Sequence, residues 1–365
     1  MKVLFVAESW PPAMNGVATS SARLVNELRE RGHETRVVAP LAGRSTGEGL
    51  HAARAMRVGP TQEYTVGRLG ARCVEMIQRW RPDIMHVASP LSLGYSGLRA
   101  AHRYAVPTVA AYMTDFTAFS AQAMRRLPGR ELTSRLATRV QRGLHAMATV
   151  NVACSRYALD TLRGWQSPAP REWLRAIDTR RFTPHGRAAR LAAEVSGPVT
   201  IGYAGRLAGE KELELLVSLR RIAGTRLRII GDGPARGRLE QLLPEAEFTG
   251  KLFGNAYPRA LSALDLFVHP GRGETLSQVV LEALSSGVPA VVPDGATGSS
   301  ELVRPGRSGA HFVGGDGDSL RAVVVQQLVL APRDPHDIAA TVAHRTWDTS
   351  IRSLLASYDE ALDAR

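Results

Sequence analysis

Cysteine is nearly absent from these 365 residues: Cys73 and Cys154 are the only two, far apart and in no metal-ligand spacing. A disulfide framework and a thiolate metal site are therefore set aside, and two buried free thiols are expected. Lysine is almost as scarce. Only Lys2, Lys211 and Lys251 occur, so arginine supplies nearly all of the 46 basic side chains. No apolar run reaches the ~18 residues that suggest a membrane span. A signal-peptide layout is also missing, because Glu8 and the prolines after it interrupt the apolar start; a cytoplasmic protein is expected. Acid is in deficit, with 34 Asp and Glu and a formal net charge of +12. Such a balance suits anionic nucleotides, acidic membrane surfaces or nucleic acid. No zinc-finger, RRM or KH motif is present, which sets nucleic acid aside. A Gly-x-Gly-x-x-Gly fingerprint is lacking too, which argues against a dinucleotide-dependent dehydrogenase.

What is present is a soluble, globular composition, 44% hydrophobic and 22% charged, with length for two domains. Lys2 to Ala7 is a buried-strand run, a loop through Asn15-Gly16 follows, Val17 to Arg31 has helical spacing, and Thr35 to Ala39 is a strand. This is a βαβ unit, whose ligand side is the carboxyl end of the first strand. Further alternation runs through a helix over 66–80, a strand over 84–87, a helix over 93–104 and a strand over 106–112. The fold class is α/β. Residues 120 to 147 read as a long basic helix with Leu132, Leu136, Val140 and Leu144 on one face. That face suits either an anionic membrane or the domain core, and packing on the core is the expectation. Ser155 is a plausible helix cap, and His86 reads as a core histidine.

A second alternating series starts at Val199. It contains Gly271-Arg-Gly-Glu274-Thr-Leu-Ser-Gln278-Val-Val-Leu-Glu282-Ala-Leu-Ser-Ser-Gly287. Thr275 with Gln278 is a capping-box pattern, and Gly287 before Pro289 is a helix stop. Glu274 then sits just ahead of a helix N-terminus, and Glu282 about two turns in. The helix end attracts phosphate, and carboxylates accept hydrogen bonds from sugar hydroxyls. Two such carboxylates can hold the two ends of one nucleotide-sugar. Asp316-Gly-Asp318 lies among glycines with no strand leading in and reads as a turn, so no metal ligands are assigned.

Glu274-x7-Glu282 in this context resembles the Glu-x7-Glu motif of retaining glycosyltransferase family 4. Gly205-Arg206-Leu-Ala-Gly-Glu210-Lys211 resembles that family's Gly-Arg-x-x-x-x-Lys signature, and Asn15-Gly16-Val17 its glycine loop. Tyr112-Met113-Thr-Asp115 is similar to its His-Thr-Asp triplet with Met113 at the polar position, where a sugar contact is lost. Arg175 to Pro184 resembles the stretch that leads between its domains. The first-domain wording is most similar to actinobacterial α-mannosyltransferases.

The resemblance implies a GT-B architecture: two Rossmann-like domains facing an inter-domain cleft. The domains would be residues 1–185 for the acceptor and 186–340 for the nucleotide-sugar, with 341–365 a helical segment packing back on the first. It implies hexosyl transfer with retention from a GDP- or UDP-sugar to a lipid, glycolipid or secondary-metabolite hydroxyl, with no cofactor and no metal. Arg206 and Lys211 would stabilise the leaving diphosphate. Glu274 and the amides of Thr275, Leu276 and Ser277 would hold the hexose, and Glu282 the ribose. Asn15, Gly16, Gly205, Gly231 and Leu252 would line the nucleotide, and Asp115 would orient the acceptor. Rival readings are an aminocyclitol or nucleoside-antibiotic glycosyltransferase, a nucleotide-sugar 2-epimerase, and a non-catalytic basic protein that binds membrane surfaces.

Overall fold

The computed structural model describes residues 1–11, 13, 16–41, 49–58, 64–116, 130–193, 197–295, 297–330 and 332–364. The chain divides into two compact units, Met1–Leu174 with Trp347–Arg365, and Arg175–Thr346.

In the first unit, β1 (Lys2–Ala7), β2 (Glu34–Ala39), β3 (Leu50–Ala52), β6 (Ile84–Ala88), β7 (Thr108–Tyr112), β8 (Val150–Ala153) and β9 (Pro170–Glu172) form one parallel sheet. Its order is β3-β2-β1-β6-β7-β8-β9. Val3 to Ala7 are fully buried, as expected of a strand covered on both faces. The helices are α1 (Gly16–Glu30), α2 (Ala71–Trp80), α3 (Ser92–Arg103), α4 (Arg130–Ala146) and α5 (Arg156–Gly164). Ser155 caps α5, its Oγ accepting from Ala158 N at 3.0 Å. Cys73 and Cys154 are buried free thiols.

The expected helix over 66–80 is shorter. Residues Tyr64–Arg68 form β5, paired antiparallel with β4 (Arg54–Val58), and the helix starts only at Ala71. Gly67 and Gly70 break the helical path, and β-branched Thr65 and Val66 suit the ladder.

The second unit holds α6 (His185–Ala192), β10 (Val199–Ala204), β11 (Thr225–Ile230), α7 (Arg236–Leu242), β12 (Glu247–Gly250), α8 (Ala256–Ser262), β13 (Leu266–Val268), α9 (Gln278–Ser285), β14 (Ala290–Pro293), β15 (Gly309–Phe312), α10 (Gly317–Val329) and α11 (Pro335–Ala340). Its parallel sheet runs β12-β11-β10-β13-β14-β15, the 3-2-1-4-5-6 order of a Rossmann unit. Asp316 caps α10, its Oδ1 accepting from Asp318 N at 2.9 Å and Ser319 N at 3.1 Å.

The chain enters this unit at Arg175, not at 186. Hydrogen bonds explain the earlier crossing. Ile177 N donates to Arg345 O at 2.9 Å, Arg181 Nη2 to Gly254 O at 2.8 Å, and Ser285 Oγ to Phe182 O at 2.7 Å.

The chain returns at Trp347, and α12 (Trp347–Asp363) belongs to the first unit. Ile351, Leu354, Tyr358 and Ala361 recur at helical spacing and join the core cluster of Val3, Phe5 and Val109. Tyr358 Oη lies 3.0 Å from His86 Nδ1, and His86 stacks on Phe5 at 4.5 Å. Burial pushes the His86 imidazole down to about 3, so it is a neutral core group.

Candidate active site

The strand order of the second unit decides which residues meet. β10 and β13 are neighbours, and the sheet grows outward from them in opposite directions. Loops leaving the carboxyl ends of two such strands flank the switch point where open α/β sheets bind ligands. Gly205 to Lys211 follows β10, and His269 to Ser277 follows β13.

Lys211 Nζ donates to Glu274 Oε1, joining the two motifs across 63 residues of sequence. His269 Nε2 lies 3.3 Å from the same oxygen, and its ring stacks on Tyr203 with centroids 6.2 Å apart. Burial opposes ionisation of Glu274. The Lys211 ammonium and the His269 ring outweigh it and hold the carboxyl well below the usual carboxylate range. The site therefore keeps a fixed anion and a fixed cation in contact.

No α-helix follows β10. Gly209–Lys211 and Leu213–Leu219 are 3-10 turns, separated by Glu212 at φ 51°. Arg206 pairs with Glu210, and Arg272 pairs with Glu212 at 2.6 Å. The two cations of the signature thus differ here: Arg206 has a partner in its own loop, and Lys211 reaches across to Glu274. Gly231 is required by the fold itself. At φ 132°, a Cβ there would lie 2.0 Å from Gly205 O. Gly205 N donates to Ile230 O at 2.9 Å, so the two strand ends touch through these glycines. Leu252 is partly buried just beyond β12.

The capping box at Thr275 does not form. Helix α9 begins at Gln278, and Ser277 is its N-cap residue without a side-chain cap bond. Gly298 explains this, because its N–H donates to Glu274 O at 2.8 Å and pins the loop outside the helical path. Gln278 Nε2 instead donates to Ala176 O at 3.4 Å. Thr275, Leu276 and Ser277 are buried, and Ser277 Oγ has no partner among the described residues.

Glu282 is accordingly one turn into α9 rather than two, roughly 6 Å along the axis from Gln278. Tyr257 Oη donates to Glu282 Oε2 at 2.6 Å. Burial raises the Glu282 carboxyl to about 7, opposed by the Tyr257 hydroxyl and by Arg181 and Arg175. The two motif carboxylates are thus pushed apart in acidity by their surroundings.

The remaining site candidates lie on the first unit. Asp115 Oδ2 accepts from Tyr157 Oη at 2.8 Å. Gln141 of α4 holds that loop, donating through Nε2 to Thr114 O at 2.6 Å. Met113 is buried in the core cluster with Phe5 and Val109. Gly16 opens α1, and a Cβ there would meet nothing within 4 Å. Asn15 lies outside the described residues. Among the described residues no group of three His, Cys, Asp or Glu is placed to hold a metal ion.

Sequence reasoning misses His269, Tyr257, Tyr157 and Gln141. Tyr257, Tyr157 and Gln141 reach their partners through the fold from separate segments, so no local spacing records them; His269 lies only five residues before Glu274, just past the end of β13.

Residues 14–181 match Glycosyltransferase Family 4, and residues 198–344 match Glycosyl transferases group 1. A GDP-mannose-dependent alpha-mannosyltransferase of Mycobacterium tuberculosis is 37% identical, covering 98% of this chain and 96% of its own. The chain belongs to glycosyltransferase family 4. A second family member, a GDP-mannose-dependent alpha-mannosyltransferase of Mycolicibacterium smegmatis, is 37% identical over 100% of this chain and 99% of its own. Among solved structures, sucrose-phosphate synthase from Thermosynechococcus elongatus matches with a TM-score of 0.80 at 16% identity, covering 100% of both chains. That likeness gives this family-4 glycosyltransferase its fold, GT-B.

Proposed function

We propose that this chain is a retaining α-mannosyltransferase that moves mannose from GDP-mannose to a hydroxyl of a lipid or glycolipid acceptor. The observation that carries the reading is the Lys211–Glu274 pair at the switch point of the second sheet. It stands in a chain that keeps 37% identity over nearly its whole length with GDP-mannose-dependent enzymes. A donor carries complementary groups: a diphosphate for Lys211 and sugar hydroxyls for Glu274. Each partner of the resting pair exchanges the other for the donor.

In this reading Glu274 accepts hydrogen bonds from the hexose, with the amides of Thr275, Leu276 and Ser277 beside it. Glu282, steadied by Tyr257, accepts from the ribose hydroxyls. Lys211 and Arg206 neutralise the charge that builds on the diphosphate as the bond from the sugar C1 to the phosphate oxygen breaks. The acceptor oxygen bonds to C1 on the same face, and its proton passes to a diphosphate oxygen. Asp115 orients the acceptor, and Gly16 lets backbone amides approach phosphate. Two fixed cations supply the leaving-group stabilisation that a metal supplies elsewhere, so neither metal nor further cofactor takes part.

The test is nucleotide release from a panel of GDP- and UDP-sugars, with and without EDTA, for the wild type, Lys211→Ala and Glu274→Ala. Release from GDP-mannose that EDTA leaves unchanged and both variants abolish is the expected result. Release from a UDP-sugar alone would reject the mannosyl donor. A β-linked product by NMR would reject retention.

A further inference from the structure

The spacing-four stripe on α4 was expected to pack on the core; Leu144 does, while the structure turns Leu132, Leu136 and Val140 outward. Leu132 is 73% exposed, Leu136 60%, Val140 47% and Met147, just past the helix, 36%. At 100° per residue these four and Gly143 fall within an arc of about 80°. Arg135, Arg139 and Arg142, all exposed, line one flank of that arc. The opposite face, with Gln141, Leu144 and His145, is buried, so the helix is firmly seated with its apolar stripe facing out.

Met147 also walls an open pocket of about 390 Å³ with Tyr95, Arg99, His102 and Arg103 of α3. The Arg99 guanidinium lies 5.8 Å over the Tyr95 ring. Helix α3 carries no acidic residue, and α4 carries one, Glu131. None of these five arginines forms an ion pair among the described residues. Other arginines are matched with acids: Arg228 with Glu247, Arg236 with Glu240, Arg238 with Glu214. On α3 and α4 the unmatched guanidinium groups border the apolar stripe.

An apolar stripe with unneutralised guanidinium groups beside it fits a layered surface: acyl chains within, phosphates above. Guanidinium forks match phosphate oxygens bidentately. A protein partner would have to bring an apolar ridge and a separate set of acids. An anionic bilayer offers both in the required order. We propose that the α4 stripe and the pocket between α3 and Met147 are a docking surface for an anionic lipid bilayer, with the pocket taking a lipid phosphate.

The experiment is vesicle flotation of the full chain without donor, so that its outcome is independent of the transfer activity. Vesicles are phosphatidylcholine alone, or phosphatidylcholine with phosphatidylglycerol in equal parts. Binding to the anionic vesicles only, weakened by salt, is expected. Leu136→Gln/Val140→Gln and Arg99→Gln/Arg103→Gln, all at exposed positions, should each lower partitioning by about tenfold or more at unchanged thermal midpoint. Three results would overturn the proposal. The first is equal binding of variants and wild type, or none by the wild type. The second is a wild-type dimer that Leu136→Gln/Val140→Gln makes monomeric, which would assign the stripe to a second copy. The third is thermal stabilisation by inorganic phosphate, lost in Arg99→Gln/Arg103→Gln, without vesicle binding, which would leave a free-anion pocket.

Discussion

Tyr257 donates its hydroxyl to Glu282 Oε2 across 2.6 Å, and so binds α8 to the one carboxylate in the site that burial pushes up to about 7. That contact makes the ionised form of Glu282 easier to keep, and burial brings the carboxyl into the pH range where the proposed donor site responds.

Donor affinity should fall as pH drops through about 7, because Glu282 then gains a proton and loses acceptor capacity for ribose hydroxyls. Tyr257→Phe removes a group that lowers the carboxyl pKa, so the same fall should begin at higher pH. Titration of donor binding by calorimetry across pH 6–9 in both proteins checks this; coincident profiles would disconnect Tyr257 from Glu282. Stability carries the opposite sign. The folded-state pKa of about 7 lies above the unfolded value of about 4.5, so the native state holds a proton that the unfolded chain has lost. Glu282 thus costs stability above pH 7 and nothing below about 4.5. Glu282→Gln should melt higher than wild type at pH 8 and together with it at pH 4.5.

Lys211→Ala leaves the Glu274 carboxylate without the ammonium that holds its pKa down. The folded pKa of Glu274 is depressed, so its contribution is present above the unfolded value and lost as pH falls through the folded one. At pH 7 the variant should lose about 1–3 kcal/mol of stability. Turnover should drop about 10²–10³-fold if Lys211 faces the leaving group. Adding Glu274→Gln should return much of the stability and none of the turnover. Urea unfolding and a donor-release assay on the same samples separate the two effects.

Gly298→Ala tests the loop that displaces the start of α9. A Cβ at Gly298 would fall 2.1 Å from Thr275 O and 2.6 Å from Leu276 N, so the 274–277 backbone has to move. Donor KM should rise at least about tenfold, the order expected when positioning of reacting groups is disturbed. Gly237→Ala is the control. Its Cβ would meet nothing within 4 Å inside α7, and it should stabilise the protein by about 0.5–1 kcal/mol at unchanged KM.

Met113 packs in the core of the first unit, so its departure from the family's polar position acts on packing. Met113→Gln buries an amide without a planned partner and should cost about 1–3 kcal/mol. The ranking of sugar donors should stay as in the wild type. A changed ranking in a competition assay would place Met113 at the sugar after all.

Two-sided burial is what makes β1 legible, since a strand covered on both faces has to be continuously apolar, and Val-Leu-Phe-Val is. Strand β5 is not legible, because Val66 opens a spacing that also satisfies a helix until Gly67 and Gly70 are weighed. The spacing of Leu132, Leu136 and Val140 records that they share a face, and cannot record that the face is exposed. The same limit governs the site. Glu274, Glu282 and Lys211 belong to local motifs, but strand order brings Lys211 to Glu274, and helix packing brings Tyr257 to Glu282. Thr275 with Gln278 reads as a cap because local chemistry favours one. Gly298, 23 residues on, overrides it by holding Glu274 through the backbone.

The placement of α12 reverses the order in which the protein can be finished. A ribosome delivers the first sheet first, yet Ile351, Leu354 and Tyr358, which fill its core, are made only after the whole second unit. The second unit is contiguous from Arg175 to Thr346 and has all its strands once that stretch has left the exit tunnel. Synthesis therefore yields a complete second unit while the core around Phe5 and Trp173 still lacks α12. During that interval the apolar side that α12 covers is open, and it closes only once Trp347–Asp363 has been made.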